Sequence, residues 1–393
     1  MAIRNYPEYK STKDNYVYVE DVDKLVDNLI SNDPKILALD TETHYNPENK
    51  EAIIRYINGN PNNEPFCVTI YDGKKGYYIS KDLDKLKRLV AESHAKFVFH
   101  NHKYDRHMLA NIGIDFDISQ LSDTMIMIHL IDEEFMCNTP AGTQVKSKKL
   151  KDLAYHFLGN DAHELEDMVG EYRSIKALHN KADGKEGGKD NVSYKEVELL
   201  NRDLMKDYAC ADVDFTYHLY LLFVKEIIKQ NLKPAYALDM GASDTLFKME
   251  RRGVQIDKDY YENLYVEYAG ELGRVDALIL NIVDVDGEFE CNFSVDSSKD
   301  IVKAFGNLGV VWAWYTDKKE PRTDKKILDQ LSKMESQPKV VELAKLILER
   351  RDIQKVRDTF IKNMLDYCQN DGRVHPDFNI CPNDFNAGAT RTR

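Results

Sequence analysis

Short apolar runs alternate with segments of helical spacing in the first third of the chain. Apolar residues recur at helical spacing over residues 23–30, and a continuous apolar run at 36–39 is typical of a buried strand. Because strands come first and then alternate with helices, the pattern predicts a mixed α/β sheet with flanking helices. The further predicted elements are strands at 66–71, 76–79 and 96–100 and helices at 82–92 and 105–112.

Helical spacing dominates the remainder of the chain. A long helix is predicted at 197–230, and Lys233-Pro234 predicts a break after it. Residues 235–365 are then largely helical in pattern. Loops or interruptions are predicted at the Asn- and Pro-rich 44–65, the Gly-rich 180–191 and 284–294, and a strand-like run at 310–315.

Composition limits the class of protein. With 393 residues, of which 42% are hydrophobic and 31% charged, the chain is long enough for two domains with buried cores. A formal net charge of −13 argues against a protein that coats nucleic acid by bulk electrostatics, but not against an enzyme whose positive charge is local. The six cysteines are dispersed and no apolar run approaches membrane-spanning length. We therefore expect a reducing compartment, no membrane segment and a cytoplasmic location.

The first acidic pair, Asp40 and Glu42, ends the strand predicted near residue 39. Side chains alternate along a strand, so both carboxylates lie on the same side and reach one metal ion. Hard carboxylate oxygens suit Mg²⁺ or Mn²⁺. A lone D-x-E pair is common by chance, and alone it indicates little.

A second acidic position follows the strand predicted at 96–100. The segment from Asn101 to Asp105 (Asn-His-Lys-Tyr-Asp) leads from that strand into a helix, where α/β sheets commonly place their sites. The simpler alternative is that Asn101 caps the helix and that Asp105 stabilises its first turn electrostatically.

Tyr208 and Asp212 form a third element, on a helix by periodicity. A spacing of four residues puts the phenol and the carboxylate on one helical face. A tyrosine there would orient a water while the aspartate binds metal. Taken alone, the pair is explained more simply by a helix on which Tyr208 packs and Asp212 is solvated.

In this order, D-x-E, N-x-K-Y-D and Y-x-x-x-D resemble the exonuclease motifs of the DEDD 3′–5′ exonucleases, in the tyrosine subtype. Asp123-Thr124-Met125 and LKDLAYHFLG at 150–159 are also similar to the proofreading domain of family A DNA polymerases. The resemblance covers roughly residues 34–225, with 44–65 and 180–190 as insertions. It implies a ribonuclease H-like mixed sheet with flanking helices.

The resemblance also implies a mechanism, which is hydrolysis of the phosphodiester bond at a DNA 3′ end with two divalent ions, Mg²⁺ or Mn²⁺. Asp40 would bridge the two ions. Glu42 and Asp212 would complete the ion that carries the attacking water, and Asp105 would serve the second ion through water. Tyr208 would orient the nucleophile.

Residues 235–393 resemble the segment that leads from the exonuclease into the thumb of family A polymerases, a mostly helical region. Between Lys339 and Asn363 there are seven basic and four acidic residues. Arg351 and Lys355, four residues apart, would meet successive phosphates of a primer–template duplex. The matching pieces are MERRGVQID at 249–257, RTD at 322–324, LERRDIQK at 348–355 and GRVHP at 372–376.

Two further DNA contacts are implied at the exonuclease site, where a single-stranded 3′ end would bind. Asn101 would be a residue of the site wall and Lys103 a phosphate contact.

We expect three parts in the chain. These are an N-terminal extension at 1–33, a 3′–5′ exonuclease domain at 34–232 and the start of a polymerase domain at 233–393. Residues 387–393 resemble the start of the family's T-x-T-G-R motif, and no palm or fingers motif follows. We therefore expect a split subunit or a truncated chain that does not polymerise alone, and in the first case a second chain that supplies palm and fingers. Compact polymerases of this family are common in bacteriophages, which favours the cytoplasm of a bacterial or phage-infected cell.

Two other functions stay open at this point. One is a free-standing exonuclease of the same fold that acts on RNA or on repair intermediates, with residues 235–393 as an unrelated helical appendage. The other is a catalytically silent DNA-binding clamp, although all four acids and Tyr208 are present. Substrate preference and metal-dependent hydrolysis distinguish the three functions.

Overall fold

The computed structural model describes residues 9–43 except 11, 64–159 except 140, residue 170, 194–283, and 293–381 except 335. The loops predicted at 44–65 and 180–191, the interruption at 284–294 and the segment 387–393 lie wholly or largely outside these residues. Two compact units are formed, Met1–Arg252 with Pro376–Arg393, and Gly253–His375. Within the described ranges, no helix combines the length and the apolar character needed to cross a membrane.

A six-stranded mixed sheet forms the centre of the first unit. The strand order is β1-β4-β3-β2-β5-β6, in which β3 runs antiparallel to β2 and β4, and the other neighbours are parallel. This sheet confirms the mixed α/β architecture that the pattern predicts. The strands are β1 Tyr16–Tyr18, β2 Ile36–Thr43, β3 Pro65–Tyr71, β4 Gly76–Ile79, β5 Lys96–Phe99 and β6 Leu121–Asp123.

Helices cover both faces of this sheet. Leu37 and Leu39 of β2 pack with apolar residues of the first two helices, whereas Ala38 between them packs against Val213 of a long helix, α7 (Arg202–Lys229). The alternation along β2 thus assigns its even-numbered residues to the face of α7. The helices of this unit are α1 Val22–Asn32, α2 Leu86–Glu92, α3 His102–Asn111, α4 Thr124–Ile131, α5 Leu150–Leu158, α6 Tyr194–Leu200, α7 Arg202–Lys229 and α8 Lys233–Arg252, and a small hairpin pairs β7 Met136–Asn138 with β8 Gln144–Lys146.

The end of β2 extends beyond its neighbour β5. The parallel pairing of the two strands stops at Ala38 and Val98, and β5 ends one residue later at Phe99. From Asp40 onward, β2 pairs with β3 alone, in the register Asp40 to Thr69. The free side of β2 is therefore available to the helix that follows β5.

The structure differs from the predicted elements at three places. The helix predicted at 197–230 is divided at Asn201, whose side chain accepts a hydrogen bond from the Leu204 amide at 3.1 Å and so starts α7. The run at 310–315 is not a strand, because within it only Tyr315 pairs, in an isolated bridge to Pro321, while Trp312 is buried in the core of the second unit. The short strands β1 and β6 do not follow from the pattern.

The second unit has a hydrophobic core of its own. Its helices contribute Val275, Ile279, Phe305, Leu328 and Leu343, each less than 2% exposed. A π-helical segment, Val356–Ile361, joins the long helix α12 (Pro338–Lys355) to α13 (Lys362–Asp366). The elements are β9 Val254–Gln255 paired with β10 Arg373–Val374, and helices α9 Lys258–Val283, α10 Ser298–Asn307, α11 Lys325–Leu331, α12 Pro338–Lys355 and α13 Lys362–Asp366.

Packing places α8 in the first unit, although this helix lies beyond the predicted domain boundary at 232/233. Two buried contacts join α8 to α3, an ion pair between Arg106 and Asp244 at 2.6 Å and a hydrogen bond between His107 and Glu250 at 2.7 Å. The predicted limits rest on sequence motifs rather than on packing, and they stay a prediction.

Candidate active site

Three carboxylates from two elements converge beside the centre of the sheet. Asp40 and Glu42 lie on the face of β2 that α7 covers, and Asp212 comes from α7 itself. Thr69, opposite Asp40, confirms this orientation, because its hydroxyl donates to the Ala209 carbonyl of α7 at 3.2 Å. One carboxylate oxygen from each of the three acids lies within 4.8 Å of the other two. A single cation can therefore contact all three.

Asp105 reaches the same part of β2 from α3. The chain turns from β5 into α3 at Asn101, whose φ of 71° lies in the left-handed region that asparagine tolerates. The Asp105 carboxylate then accepts hydrogen bonds from the Thr41 amide at 3.0 Å and the Thr41 hydroxyl at 2.7 Å. Thr41 stands between Asp40 and Glu42, so Asp105 lies beside the same stretch of β2, near enough for the charge of Asp40 to act on it, although it is not one of the three acids whose oxygens lie within 4.8 Å of one another.

Burial disfavours the charged forms of these acids. It raises the pKa of Asp40 to about 6, and burial together with repulsion from Asp40 raises the pKa of Glu42 well above its usual value. Burial and the charge of Asp40 also raise the pKa of Asp105. The positive charge of Lys151 acts in the opposite direction on Asp40 and Glu42. Several buried carboxylates this close together are stable in their charged forms only beside a cation.

The donor set fits a divalent metal ion that prefers oxygen ligands. Glu42 and Asp212 are only 8% and 7% exposed, so few water molecules compete with a cation for their oxygens. Carboxylates alone, without histidine or cysteine, favour Mg²⁺ or Mn²⁺ over zinc. In the part of the chain that the structure describes, this is the one group of three or more ligating side chains close enough to hold an ion.

Lys151 is a member of the site that sequence reasoning missed. It lies in the first turn of α5, and its ammonium group contacts Asp212 Oδ1. The same nitrogen lies 4.2 Å from the centre of the Tyr208 ring. The LKDLAYHFLG segment contains this lysine, but nothing in the sequence distinguishes it from the neighbouring Lys149. Only the packing of α5 against α7 sets Lys151 beside Asp212.

Tyr208 lies one helical turn before Asp212 and is 6% exposed. Its ring stacks on Tyr194 of α6, with ring centroids 5.5 Å apart and an interplanar angle of 22°. The two hydroxyl oxygens are 3.4 Å apart. The stack restricts the orientation of the Tyr208 phenol. Sequence reasoning did not single out Tyr194, because the contact depends on the break between α6 and α7.

Asp123 fixes the helices that surround the site. Its carboxylate accepts hydrogen bonds from the Met125 amide at 2.7 Å and from the His102 amide at 2.6 Å, and so caps α4 and α3 together. His102 Nδ1 lies 2.8 Å from Asp123, and the Ser243 hydroxyl lies 3.3 Å from His102 Nε2. This Ser-His-Asp array is not a hydrolytic triad, because each member is at most 1% exposed and a substrate cannot reach the hydroxyl. It ties α8 to α3.

Lys103 and Asn101, the two further DNA contacts predicted at this site, differ in exposure. The Lys103 ammonium contacts Glu250 and the Phe378 carbonyl, lies 3.2 Å from Asp377, and belongs to a residue that is only 6% exposed. This geometry gives no support to a phosphate contact, which stays a prediction. Asn101 is exposed at the start of α3. Its place in the site wall stays a prediction as well.

The two predicted duplex contacts lie in the second unit. Arg351 is half-buried and donates to the Thr323 carbonyl, with a further contact to the Thr323 hydroxyl at 3.4 Å. Lys355, one turn later, is exposed. Its ammonium group is available to solvent, as a phosphate contact requires, whereas the guanidinium group of Arg351 is held by the protein. DNA binding by either residue stays a prediction.

Comparison with known proteins supplies a family. Residues 16–228 match the model of a family described as the 3′–5′ exonuclease of DNA polymerase A, and this match covers more than half of the chain. The DNA polymerase DpoZ of Acinetobacter phage SH-Ab 15497 is 27% identical over 319 residues, which are 76% of this chain and 44% of that protein. DNA polymerase I of Borreliella burgdorferi is 23% identical over 91% of this chain and 34% of its own length. The chain therefore spans less than half the length of these curated relatives.

A solved structure shares the fold. The POL domain of Pol1 from M. smegmatis, in complex with DNA primer-template and dNTP, matches with a TM-score of 0.61 at 18% sequence identity. The likeness covers 95% of this chain and 54% of that one. It extends beyond the residues that the exonuclease family matches, into the helical second half.

Proposed function

The chain belongs to the 3′–5′ exonuclease family of DNA polymerase A, and on that premise we propose that it removes nucleotides from the 3′ end of DNA by two-metal-ion hydrolysis. The observation that carries this proposal is the convergence of Asp40, Glu42 and Asp212, whose oxygens lie within 4.8 Å of one another. A site whose possible metal ligands are all carboxylates on rigid elements suits phosphodiester hydrolysis, since the chemistry needs divalent ions held in place rather than a protein nucleophile.

The four acids would hold the ions, Mg²⁺ or Mn²⁺. Asp40 would bridge both, with Glu42 and Asp212 on the first ion and Asp105 on the second through water. When bound, the ions lower the pKa of water and offset the negative charge that develops on the phosphate and on the leaving 3′-oxygen. The hydrogen bonds from Thr41 support this assignment, because they leave Asp105 one fixed position beside β2.

Tyr208 would orient the attacking water. Its position one turn before Asp212 puts the phenol and the carboxylate on the same face of α7. Stacking on Tyr194 limits the ring to a narrow range of orientations. A water molecule that is held in line with the breaking phosphorus–oxygen bond attacks faster than a freely diffusing one, because its orientation is already fixed.

We further propose that the exonuclease proofreads as part of a family A DNA polymerase. The relatives named above, all bacterial or phage DNA polymerases, support this setting. The second unit would contact the primer–template duplex in the manner of a thumb, through Lys355 and Arg351. Palm and fingers would come from a further stretch of polypeptide or from a second chain, in the cytoplasm of a bacterial or phage-infected cell.

The test uses a primer–template that is labelled at the 5′ end of the primer and incubated with Mg²⁺. We expect a ladder of shortened primers that disappears with a chelator and in Asp40→Asn. Asp84→Asn is the matched control, because it makes the same change at an exposed acid outside the cluster and should keep the parent's activity.

Three further outcomes would correct the proposal. A primer that stays intact under all conditions would overturn it. A mispaired terminus that is removed no faster than a paired one would remove the proofreading role and leave the exonuclease. A strong preference for an RNA primer would favour the free-standing exonuclease instead.

A further inference from the structure

Lys151 is the positive charge inside the carboxylate cluster. Its ammonium contacts Asp212 Oδ1, and the residue is only 9% exposed. The helix α5, which carries it, packs its buried residues Leu153, Ala154 and Phe157 into the same core as α7. The ammonium group therefore lies between two elements that are held together.

The place of Lys151 conflicts with a divalent ion at the same oxygens. The Asp212 oxygen that Lys151 contacts belongs to the acid that completes the three-carboxylate group. A divalent ion there would stand at contact distance from a single positive charge, and two cations at such a distance in a partly buried site repel strongly. The ammonium group must leave Asp212 before an ion takes it.

A second partner for the ammonium group lies close by. The nitrogen is already 4.2 Å from the centre of the Tyr208 ring, a distance at which the face of an aromatic ring attracts a cation. The four-carbon stem of lysine turns about several bonds, so the end of the side chain moves without a change in α5.

We propose that Lys151 is a positioning residue, a built-in counter-ion that holds the acid cluster together until a divalent ion displaces it. It stabilises the metal-free site and lowers the affinity of that site for metal. The inference rests on the proposed function, since it concerns the same carboxylates. It adds that metal binding is an exchange of one cation for another.

The test measures metal binding and stability rather than activity. Lys151→Met keeps the length of the side chain and removes the charge, whereas Lys151→Arg keeps the charge. Lys149→Met removes an equal charge from an exposed residue two positions earlier and serves as the matched control. Lys151→Gln replaces the methionine variant if that variant does not fold.

Titration of each protein with Mn²⁺ in a calorimeter gives the first readout. We expect Lys151→Met to bind about tenfold more tightly than the parent, while Lys151→Arg and Lys149→Met stay within about threefold of it. In chelator, Lys151→Met should melt about 2–4 °C below Lys149→Met, because its acids have lost their counter-ion. Mn²⁺ should abolish this difference.

The outcomes separate this inference from the proposed function. If the parent and Asp40→Asn bind Mn²⁺ equally, the cluster is not the metal site and both proposals are overturned. If the parent binds Mn²⁺ through the cluster and Lys151→Met binds with the parent's affinity, the counter-ion role is overturned and the exonuclease site stands. Weaker binding by Lys151→Met would also overturn that role, since the lysine would then assist the metal.

Discussion

Replacing Thr41 with valine tests whether the contact between β2 and α3 positions the active site. Thr41 is 6% exposed, its hydroxyl donates to Asp105 at 2.7 Å, and its amide donates to the same oxygen at 3.0 Å. Valine has nearly the shape of threonine. The substitution therefore removes one hydrogen bond from Asp105 and leaves the backbone hydrogen bond in place.

The expected loss follows from the charge of the acceptor. A hydrogen bond to a charged group contributes about 1.5–3 kcal/mol, so at pH 8 with Mg²⁺ we expect the free energy of unfolding to fall by about 2 kcal/mol. For a unit of this size, that loss lowers the melting temperature by about 4–8 °C. Because Asp105 keeps only one of its two contacts with Thr41, the rate of primer degradation should fall by about tenfold to a hundredfold.

Urea denaturation and the labelled-primer assay measure the two effects. Thr69→Val is the matched control on the neighbouring strand, where the hydroxyl donates to a neutral carbonyl at 3.2 Å, so it should cost about 1 kcal/mol and leave the hydrogen bonds of Asp105 in place. Thr41→Ser keeps the hydroxyl and should remain close to the parent. The reasoning is refuted if Thr41→Val keeps the parent's stability and rate, or if Thr69→Val loses as much activity.

The remaining predictions concern other parts of the two units. Tyr208→Phe should keep the stacked ring and lose about a hundredfold in hydrolysis, and a loss as complete as that of Asp40→Asn in the same assay would contradict a role in orienting water. Glu250→Gln should lower the free energy of unfolding by about 1.5–3 kcal/mol, because the ammonium of Lys103 loses its buried carboxylate and keeps only that of the half-exposed Asp377, and an unchanged urea midpoint would contradict this. Burial lowers the pKa of His156, whose Nδ1 accepts a hydrogen bond from the Asn138 amide at 3.0 Å, so the folded state stays neutral where the unfolded chain takes up a proton. The free energy of unfolding should therefore fall as pH drops below the ordinary value of 6.5, and His156→Gln should reduce that dependence. Lys355→Ala should weaken duplex binding, and the slope of the logarithm of the binding constant against the logarithm of the salt concentration should become less steep by about one. An unchanged slope would remove the thumb-like contact.

Local pattern was enough to predict the elements that carry the acids. The alternation along β2 put Asp40 and Glu42 on one face of that strand. The helical spacing of α7 put Tyr208 and Asp212 on one face of that helix. These relations hold within a few residues of chain, where the backbone geometry of a strand or a helix decides them. The mixed sheet could be predicted for the same reason, since the order of strands and helices is local information.

Packing between distant segments decided which lysines contact the acids. Lys151 meets Asp212 across 61 residues of chain, and Lys103 meets Glu250 across 147, so neither contact has a sequence pattern of its own. The family resemblance therefore suggested Lys103 as a phosphate contact, and nothing in the sequence singled out Lys151. A lysine side chain is long enough to serve several partners, and which of them it finds depends on how two helices pack against one sheet. The sequence thus determined which acids can form the site, while the tertiary structure decided which cation stands among them.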